Sequence, residues 1–385
     1  MNIIYTRNHV KALDGLRGIA VILVVLYHCF NFNSLHIITK IGWIGVDLFF
    51  VLSGFLITGI LLDTKHEENS FRNFIGRRTL RIFPLYYFII FLFFLFTRLT
   101  SIPHFELLMD NQIYFWTYTQ NLFFAIEGWP KGSEHLNHFW SLAIEEQFYL
   151  FWPALILTVN QKNVLRVSFF LILICIVLRN LIPLYPFSYV FTLTRMDGLL
   201  AGGILAILIR ENVRLLERII PALLAISFLA ILSIYLFTHS FADNNPLFIK
   251  IGYTLFDVFF GSIIIILFST GKFGTSLRHN LERKFLLFFG KYSYGIYVYH
   301  WILFCFLNPR LLNFYSKLKI PFIDPQILAA LTCTLLAIGV SYLSYNLFEK
   351  QFLKLKKYFS YSKEVTMPAV ATASIGDSVL QSYEK

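Results

Sequence analysis

The sequence predicts an all-α, polytopic integral membrane bundle of about ten transmembrane helices with both termini cytoplasmic. Three observations carry that fold class. The 385 residues are 57% hydrophobic and 18% aromatic but only 14% charged, where soluble domains run near a quarter charged. Apolar segments recur along the chain, each near the roughly 20 residues that a helix needs to cross a bilayer. Lys and Arg gather in the N-terminus, in alternate loops and at the start of the C-terminal tail, which the positive-inside rule assigns to the cytoplasm. The last outer loop, with Arg310, Lys317 and Lys319, runs against that trend. The same distribution reads the net charge of +11 as topology, so no nucleic-acid partner is expected.

The first span, 12–30, is retained: it is too long for a signal peptide, is interrupted by Arg17 and lacks a small-x-small cleavage site. It carries Asp14, Arg17 and His28. At about 100° per residue, the step from Arg17 to His28 brings both onto one face, ~16 Å apart along the axis. Asp14 lies one turn before Arg17 on that face. A charge this deep costs ~2.5–3.5 kcal/mol on insertion scales, so the face is expected to meet protein or a wet cavity, not lipid.

The second span, 43–62, has Asp47 toward its outer end. A charged linker follows and ends in Arg77, Arg78 and Arg81, before a third span, 82–99, dense in Phe. The stretch up to Asn137, with Pro103, Pro130 and several Trp and Tyr, reads as an interfacial or partly re-entrant loop. Further spans follow at 138–158, 167–182, 189–209, 219–237, 251–268, 286–307 and 326–348. Residues 1–360 read as one domain and 361–385 as a disordered polar tail. Cys29, Cys175, Cys305 and Cys333 all fall in apolar segments without zinc-type pair spacing, so neither a disulfide framework nor a metal site is expected.

Several constellations point to chemistry. His28, near mid-membrane, suits a general base acting on a hydroxyl, because imidazole titrates near neutral pH. The bland alternative is a stabilising polar cluster within the bundle. Asp14 is expected to orient Arg17, and Arg17 to hold an anionic group nearer the cytoplasm. Basic residues flanking a span mostly set topology, yet Arg78 and Arg81, three apart, share a face suited to bidentate phosphate recognition. In HFWSLAIEEQFYL, His138, Ser141, Glu145 and Tyr149 recur at helical steps as a polar stripe. Adjacent Glu145 and Glu146 face different ways, so Glu145 is read as the partner of a histidine or of a substrate hydroxyl, and Glu146 as structural.

Arg195 and Asp197 open the sixth span on the side of Asp47, and are expected to pair with it or with each other. The small residues of SGFLITG and GLLAGG suit close helix packing. GKYSYGIYVYHW puts Lys291 near the cytoplasmic boundary and His300 inside the ninth span, equally suited to core or cavity wall. Its Tyr and Trp read as an interfacial belt.

In combination these residues resemble the membrane-bound acyltransferase 3 family, whose members O-acylate surface carbohydrates and other small acceptors. The matching stretches are LDGLRGIAVILVVLYH with its Arg-x10-His, GVDLFFVLSGFLI, the Arg-x-x-Arg of RRTLR, WSLAIEEQFYLFWP, RMDGLLAGG, GKYSYGIYVYHW and SYNLFEKQF. They follow the family order over nearly the whole chain. The resemblance implies a bundle of about ten helices, with the essential histidine on His28 and its paired arginine on Arg17. It puts the arginine motif on Arg78 and Arg81 and the acidic position on Glu145. One departure is at the last motif, where Glu349 is followed by Lys350 and Gln351 in place of a nearby proline, which affects only a helix end. Some relatives carry an appended periplasmic hydrolase domain; from the few residues that follow Ser378 of IGDSV, none is expected in this sequence.

The function expected from this resemblance is transfer of an acyl group, acetyl from acetyl-CoA, to a hydroxyl of a cell-surface or lipid-linked glycan at the inner (plasma) membrane. His28 would act as general base or transient acyl carrier, and Arg77, Arg78 and Arg81 would hold the acyl-CoA donor. Asp14, Asp47, Ser141, Glu146, Tyr149, Arg195 and His300 would form a supporting polar cavity. A thioester is already activated, so no metal or tightly bound cofactor is expected. The rival is a transporter or flippase of a glycan or acyl precursor, whose mark would be an inverted repeat or paired broken helices; no repeat of either kind stands out.

Overall fold

The computed structural model describes residue 3 and residues 10–32, 39–100, 105–318 and 320–361. Pro103, Lys319 and the polar tail with IGDSV lie outside the described residues. Within them the regular structure is helical apart from one isolated antiparallel bridge, Ile3 to Ser269.

Ten longer helices follow the predicted spans in order: α1 Lys11–Cys29, α2 Ile44–Asp63, α3 Ser70–Thr100, α4 Trp140–Thr158, α5 Gln161–Leu181, α6 Asp197–Glu211, α7 Val213–Thr238, α8 Tyr253–Ile266, α9 Lys284–Leu318 and α10 Pro325–Ser344. Seven helices among the described residues are long and apolar enough to cross a membrane, those containing α1, α2, α3, α5, α7, α8 and α10. The other three fall short for visible reasons. The α6 helix has only 15 residues, α4 carries Glu145, Glu146 and Gln147 in its first half, and α9 is broken up by Lys, Asn and Tyr along its 35 residues. The protein is a multi-pass membrane protein: α5 and α7 turn Phe169, Phe170, Leu173, Phe228, Leu229 and Phe237 outward, as lipid-facing helices do.

The most enclosed helix is α2, apolar nearly all round and packed against α1, α4, α6 and α8, the arrangement expected of a helix with no polar stripe. Small residues let it seat. A Cβ on Gly54 would lie 1.9 Å from the Leu199 carbonyl oxygen, and one on Gly202 would lie 2.1 Å from that of Val51, so α2 and α6 meet backbone to backbone as SGFLITG and GLLAGG predict. A second such contact joins α1 to α9. A Cβ on Gly290 would fall 1.9 Å from the Asp14 carbonyl oxygen, and one on Gly18 would fall 2.3 Å from that of Leu286.

The stretch before α4 is more ordered than a re-entrant loop. Short helices Glu106–Asp110, Ile113–Trp116 and Gln120–Glu127 bury Leu108, Phe115, Phe123 and Phe124. The buried Gln120 and Asn121 amides donate to the backbone carbonyls of Phe139 and Val190, at 2.8 and 3.2 Å. These bonds satisfy polar groups that would otherwise be costly inside the bundle.

Candidate active site

The glycine contact between α1 and α9 fixes the register of everything above it. The two helices run parallel, and ten residues past Gly18 and Gly290 stand His28 and His300, a rise of about 15 Å on each helix. Their rings meet there, His28 Nδ1 lying 2.8 Å from His300 Nε2. The tautomers follow from the far side of the pair. His300 Nδ1 lies 2.7 Å from the Tyr297 carbonyl oxygen and 3.1 Å from that of Ile296. Carbonyls only accept, so this nitrogen carries the hydrogen and Nε2 carries the lone pair. His28 Nδ1–H therefore donates to His300, which leaves Nε2 of His28 as the nitrogen with a free lone pair. An imidazole so oriented is ready to take a proton.

Toward the other end of α1, Arg17 enters a cavity of about 640 Å³. Its Nη1 is 2.9 Å from Asp14 Oδ1, the orienting pair that the sequence predicts. Arg77, Arg78, Arg81 and Lys356 line the same cavity, with Ser53, Ser141, Glu145, Tyr149 and Tyr294. Arg77 is tied to the chain beyond α10, donating to the Phe359 carbonyl at 3.2 Å and lying over the Tyr361 ring. Arg78 is sandwiched between the rings of Phe74 and Tyr149. Neither Arg78 nor Arg81 forms an ion pair with the described carboxylates, so their guanidiniums are available to an anion. Tyr149 donates to Glu145 Oε2 at 2.7 Å and is bonded to Ser53.

His28 opens instead on a second cavity, of about 370 Å³. Its walls are aromatic and amide-bearing: Trp43, Trp129, Trp140, Trp301, Tyr27, Tyr185, Tyr189, Asn31 and Asn137, with His138 and one carboxylate, Asp243. Asp243 Oδ2 accepts from the hydroxyls of Tyr27 and Tyr185 at 3.1 and 2.9 Å. Burial pushes its carboxyl above the ordinary range, and those two hydroxyls with the Asn244 N–H pull it back. Val46 and Tyr297 line both cavities and so form the wall between them. The Tyr297 hydroxyl is pinned there, 2.5 Å from both Ser141 Oγ and the His138 carbonyl oxygen. The predicted polar stripe thus spans the wall, with His138, in the 3-10 turn before α4, on the His28 side and Ser141, Glu145 and Tyr149 of α4 on the arginine side.

Several predicted residues belong elsewhere. Glu145 does not reach a histidine; its neighbour one turn on, Tyr149, takes it, and His300 is the partner of His28. Asp47 and Arg195 line neither cavity. They form a buried ion pair at 2.7 Å, with the Arg195 guanidinium 4.1 Å from the Tyr253 ring centre. Asp197 pairs with Arg179 at 2.8 Å, so this is a structural knot rather than a cavity wall. Glu146 is largely buried and faces neither cavity, and its Oε1 finds no partner among the described residues. The aromatics of GKYSYGIYVYHW are not an interfacial belt: Tyr292, Tyr297 and Tyr299 are buried and Tyr294, Tyr297 and Trp301 line the cavities. Val46, Tyr297, Asp243 and Lys356 are additions that sequence reasoning missed. The Tyr-rich run around Tyr297 was a signal for that residue alone; Val46, Asp243 and Lys356 carry none.

The chain is 34% identical over 331 residues to the peptidoglycan O-acetyltransferase OatA of Listeria monocytogenes, covering 80% of this chain and 51% of that protein. It is 29% identical over 342 residues to the O-acetyltransferase OatA of Staphylococcus aureus, covering 82% and 53%. The chain therefore spans about half the length of the curated relatives it matches. No solved structure matches it. The family model for the acyltransferase domain matches residues 10–346, and with the Arg17 and His28 cavities joined through α1, the chain belongs to the acyltransferase 3 family.

Proposed function

We propose that the protein is an O-acetyltransferase that moves acetyl from acetyl-CoA to a hydroxyl of a cell-surface glycan, with residues 1–360 acting as one catalytic domain. The observation that carries this reading is that a single helix, α1, serves two cavities of opposite character that touch at Val46 and Tyr297. The cationic cavity has the size of a typical ligand pocket. Its unpaired Arg78 and Arg81, with Arg77, Arg17 and Lys356, suit the phosphates of coenzyme A entering from the basic, cytoplasmic side. The aromatic cavity suits the acceptor sugar. Both relatives are named for O-acetyl transfer, one of them on peptidoglycan, which supports acetyl as the group moved and a glycan as its destination.

The chemistry then runs through the wall. The acceptor hydroxyl attacks the thioester carbonyl while its proton passes to Nε2 of His28, whose Nδ1–H stays bonded to His300. The tetrahedral intermediate collapses, the carbon–sulfur bond breaks, and the proton on His28 goes to the departing thiolate. The products are the O-acetyl ester and free coenzyme A, with no net proton released. Glu145 acts on the donor side, where Tyr149 holds it. The test is His28→Ala in proteoliposomes supplied with labelled acetyl-CoA. Transfer should fall by roughly 10²–10⁴-fold, the usual contribution of a positioned base, with membrane insertion and donor binding intact. Retained transfer would overturn the role given to His28.

A further inference from the structure

We infer that the aromatic cavity accepts an uncharged or amine-bearing sugar ring and turns away rings carrying a carboxylate or phosphate, and that Asp243 makes the distinction. The inference rests on reading this cavity as the acceptor site. Four of the six tryptophans in the chain line it. The indole N–H of Trp43 is spent on the Phe241 carbonyl at 2.8 Å, and that of Trp301 on the Glu134 carbonyl at 2.5 Å. Trp43 and Trp140 are buried in the wall, so the partly exposed rings of Trp129 and Trp301 are the surfaces against which the C–H face of a pyranose can stack. Trp301 stacks on Phe304 and lies 4.8 Å from the His28 ring, centre to centre, so a sugar packed against the exposed part of this ring lies near the base.

The electrostatics of the walls then select which sugar. Among the described residues no Lys or Arg lines this cavity, and the acceptor that His28 faces, His300, is a neutral imidazole. Asp243 is the one carboxylate that lines it among the described residues, and four groups hold it. Tyr27 of α1 and Tyr185 bond its carboxylate, the Asn244 N–H donates to Oδ1 at 3.1 Å, and Tyr253 of α8 donates to its backbone carbonyl at 2.7 Å. A carboxylate fixed this way cannot swing aside for a second anion, whose entry would also strip it of water with no cation to compensate. Hydroxyls and ammonium groups, by contrast, donate to it. The two cavities thus sort substrates by charge as well as by shape, an anion on one side and a neutral ring on the other.

The experiment uses the full chain in lipid nanodiscs without acetyl-CoA and reads quenching of tryptophan fluorescence. The probes are three trisaccharides of similar size: β-1,4-linked N-acetylglucosamine, its de-N-acetylated amine, and trigalacturonate. The neutral and amine forms should bind, and the uronate should bind at least about tenfold more weakly. Asp243→Asn, which keeps an acceptor for the tyrosines, should narrow that gap about tenfold. Equal binding of the uronate and the neutral sugar by the native chain overturns the inference without any variant, and so does an unchanged ratio in a folded Asp243→Asn protein. Charge-selective binding with no acetyl transfer once acetyl-CoA is added would instead overturn the proposed activity and leave the sugar site standing.

Discussion

The cavity beneath Arg78 is lined by five cationic side chains, whereas the cavity beneath Trp301 has none and a single carboxylate. The first is built mainly from α2, α3, α4 and α9, and its Arg78 and Arg81 have no ion-pair partner among the described residues, whereas Arg17 pairs with Asp14. The second is rich in aromatic rings: the indole N–H groups of Trp43 and Trp301 are bonded to backbone carbonyls and the hydroxyls of Tyr27 and Tyr185 to Asp243. One is arranged to bind charge strongly, the other to present flat apolar faces with a few hydrogen-bonding groups. The difference teaches where the chemistry must lie. On the proposed mechanism the donor's phosphates and the base lie in different cavities, so the reaction would span the 16 or so ångströms of α1 between Arg17 and His28 and the wall at Val46 and Tyr297. In that arrangement Arg17 and His28 belong to one mechanism without touching.

The sharpest way to break the comparison is to disturb the aromatic side while leaving the arginines alone. His300→Phe removes the acceptor that fixes the His28 tautomer. Turnover should fall roughly 10²-fold, within the range attributed to a positioned base, while KM for acetyl-CoA stays unchanged. His300→Gln should recover most of that loss, because its amide N–H can bond the Tyr297 carbonyl and its amide oxygen can accept from His28. Steady-state kinetics of the two variants decide the point. Equal losses in Phe and Gln would mean that His300 is only packing.

The converse test disturbs the cationic side. Each charge-assisted bond to a phosphate is worth ~1.5–3 kcal/mol, so Arg78→Ala or Arg81→Ala should raise KM for acetyl-CoA by about 10–100-fold, with KM for the acceptor unchanged. Added salt should act in the same direction and more gently, raising donor KM while leaving acceptor KM flat, because the arginines face an open cavity that mobile ions reach. A rise in acceptor KM on mutating Arg78 would mean that the two sites are not separate in the way their linings indicate.

What the sequence made legible was local. The ten long helices follow the apolar spans, and Arg17, His28, Arg78 and Arg81 stand out because each lies within one helix and its period can be counted. The close packing at Gly54 and Gly202 was readable for the same reason. Pairings across the chain were not. Asp243 sits in the unremarkable loop HSFADNN, and only the fold brings it under Tyr27, 216 residues away. Glu145 reads from the sequence as the partner of a histidine or of a substrate hydroxyl, but within the fold Tyr149 on the next turn bonds it and His300 meets His28. The buried ion pairs of Asp47 and Arg195 show the same limit. A charge inside a span announces that it has a partner, not whether that partner is a ligand or another side chain.

The wall itself gives the smallest effect and the finest test. If acetyl must pass between Val46 and Tyr297, the space there limits the acyl chain that reaches His28. Val46→Ala removes two methyl carbons from the wall without touching an arginine or a histidine. A methylene of fit is worth ~1–3 kcal/mol in an apolar site, so the ratio of butyryl to acetyl transfer should rise about tenfold or somewhat more. Val46→Phe should do the reverse, closing the passage so that transfer of both chains falls while acetyl-CoA still binds. Competition between the two thioesters in one reaction measures the ratio directly and cancels differences in protein yield. A ratio that ignores Val46 would mean that the acyl group reaches the base by another route, and that the residues common to both cavities are scaffold rather than passage.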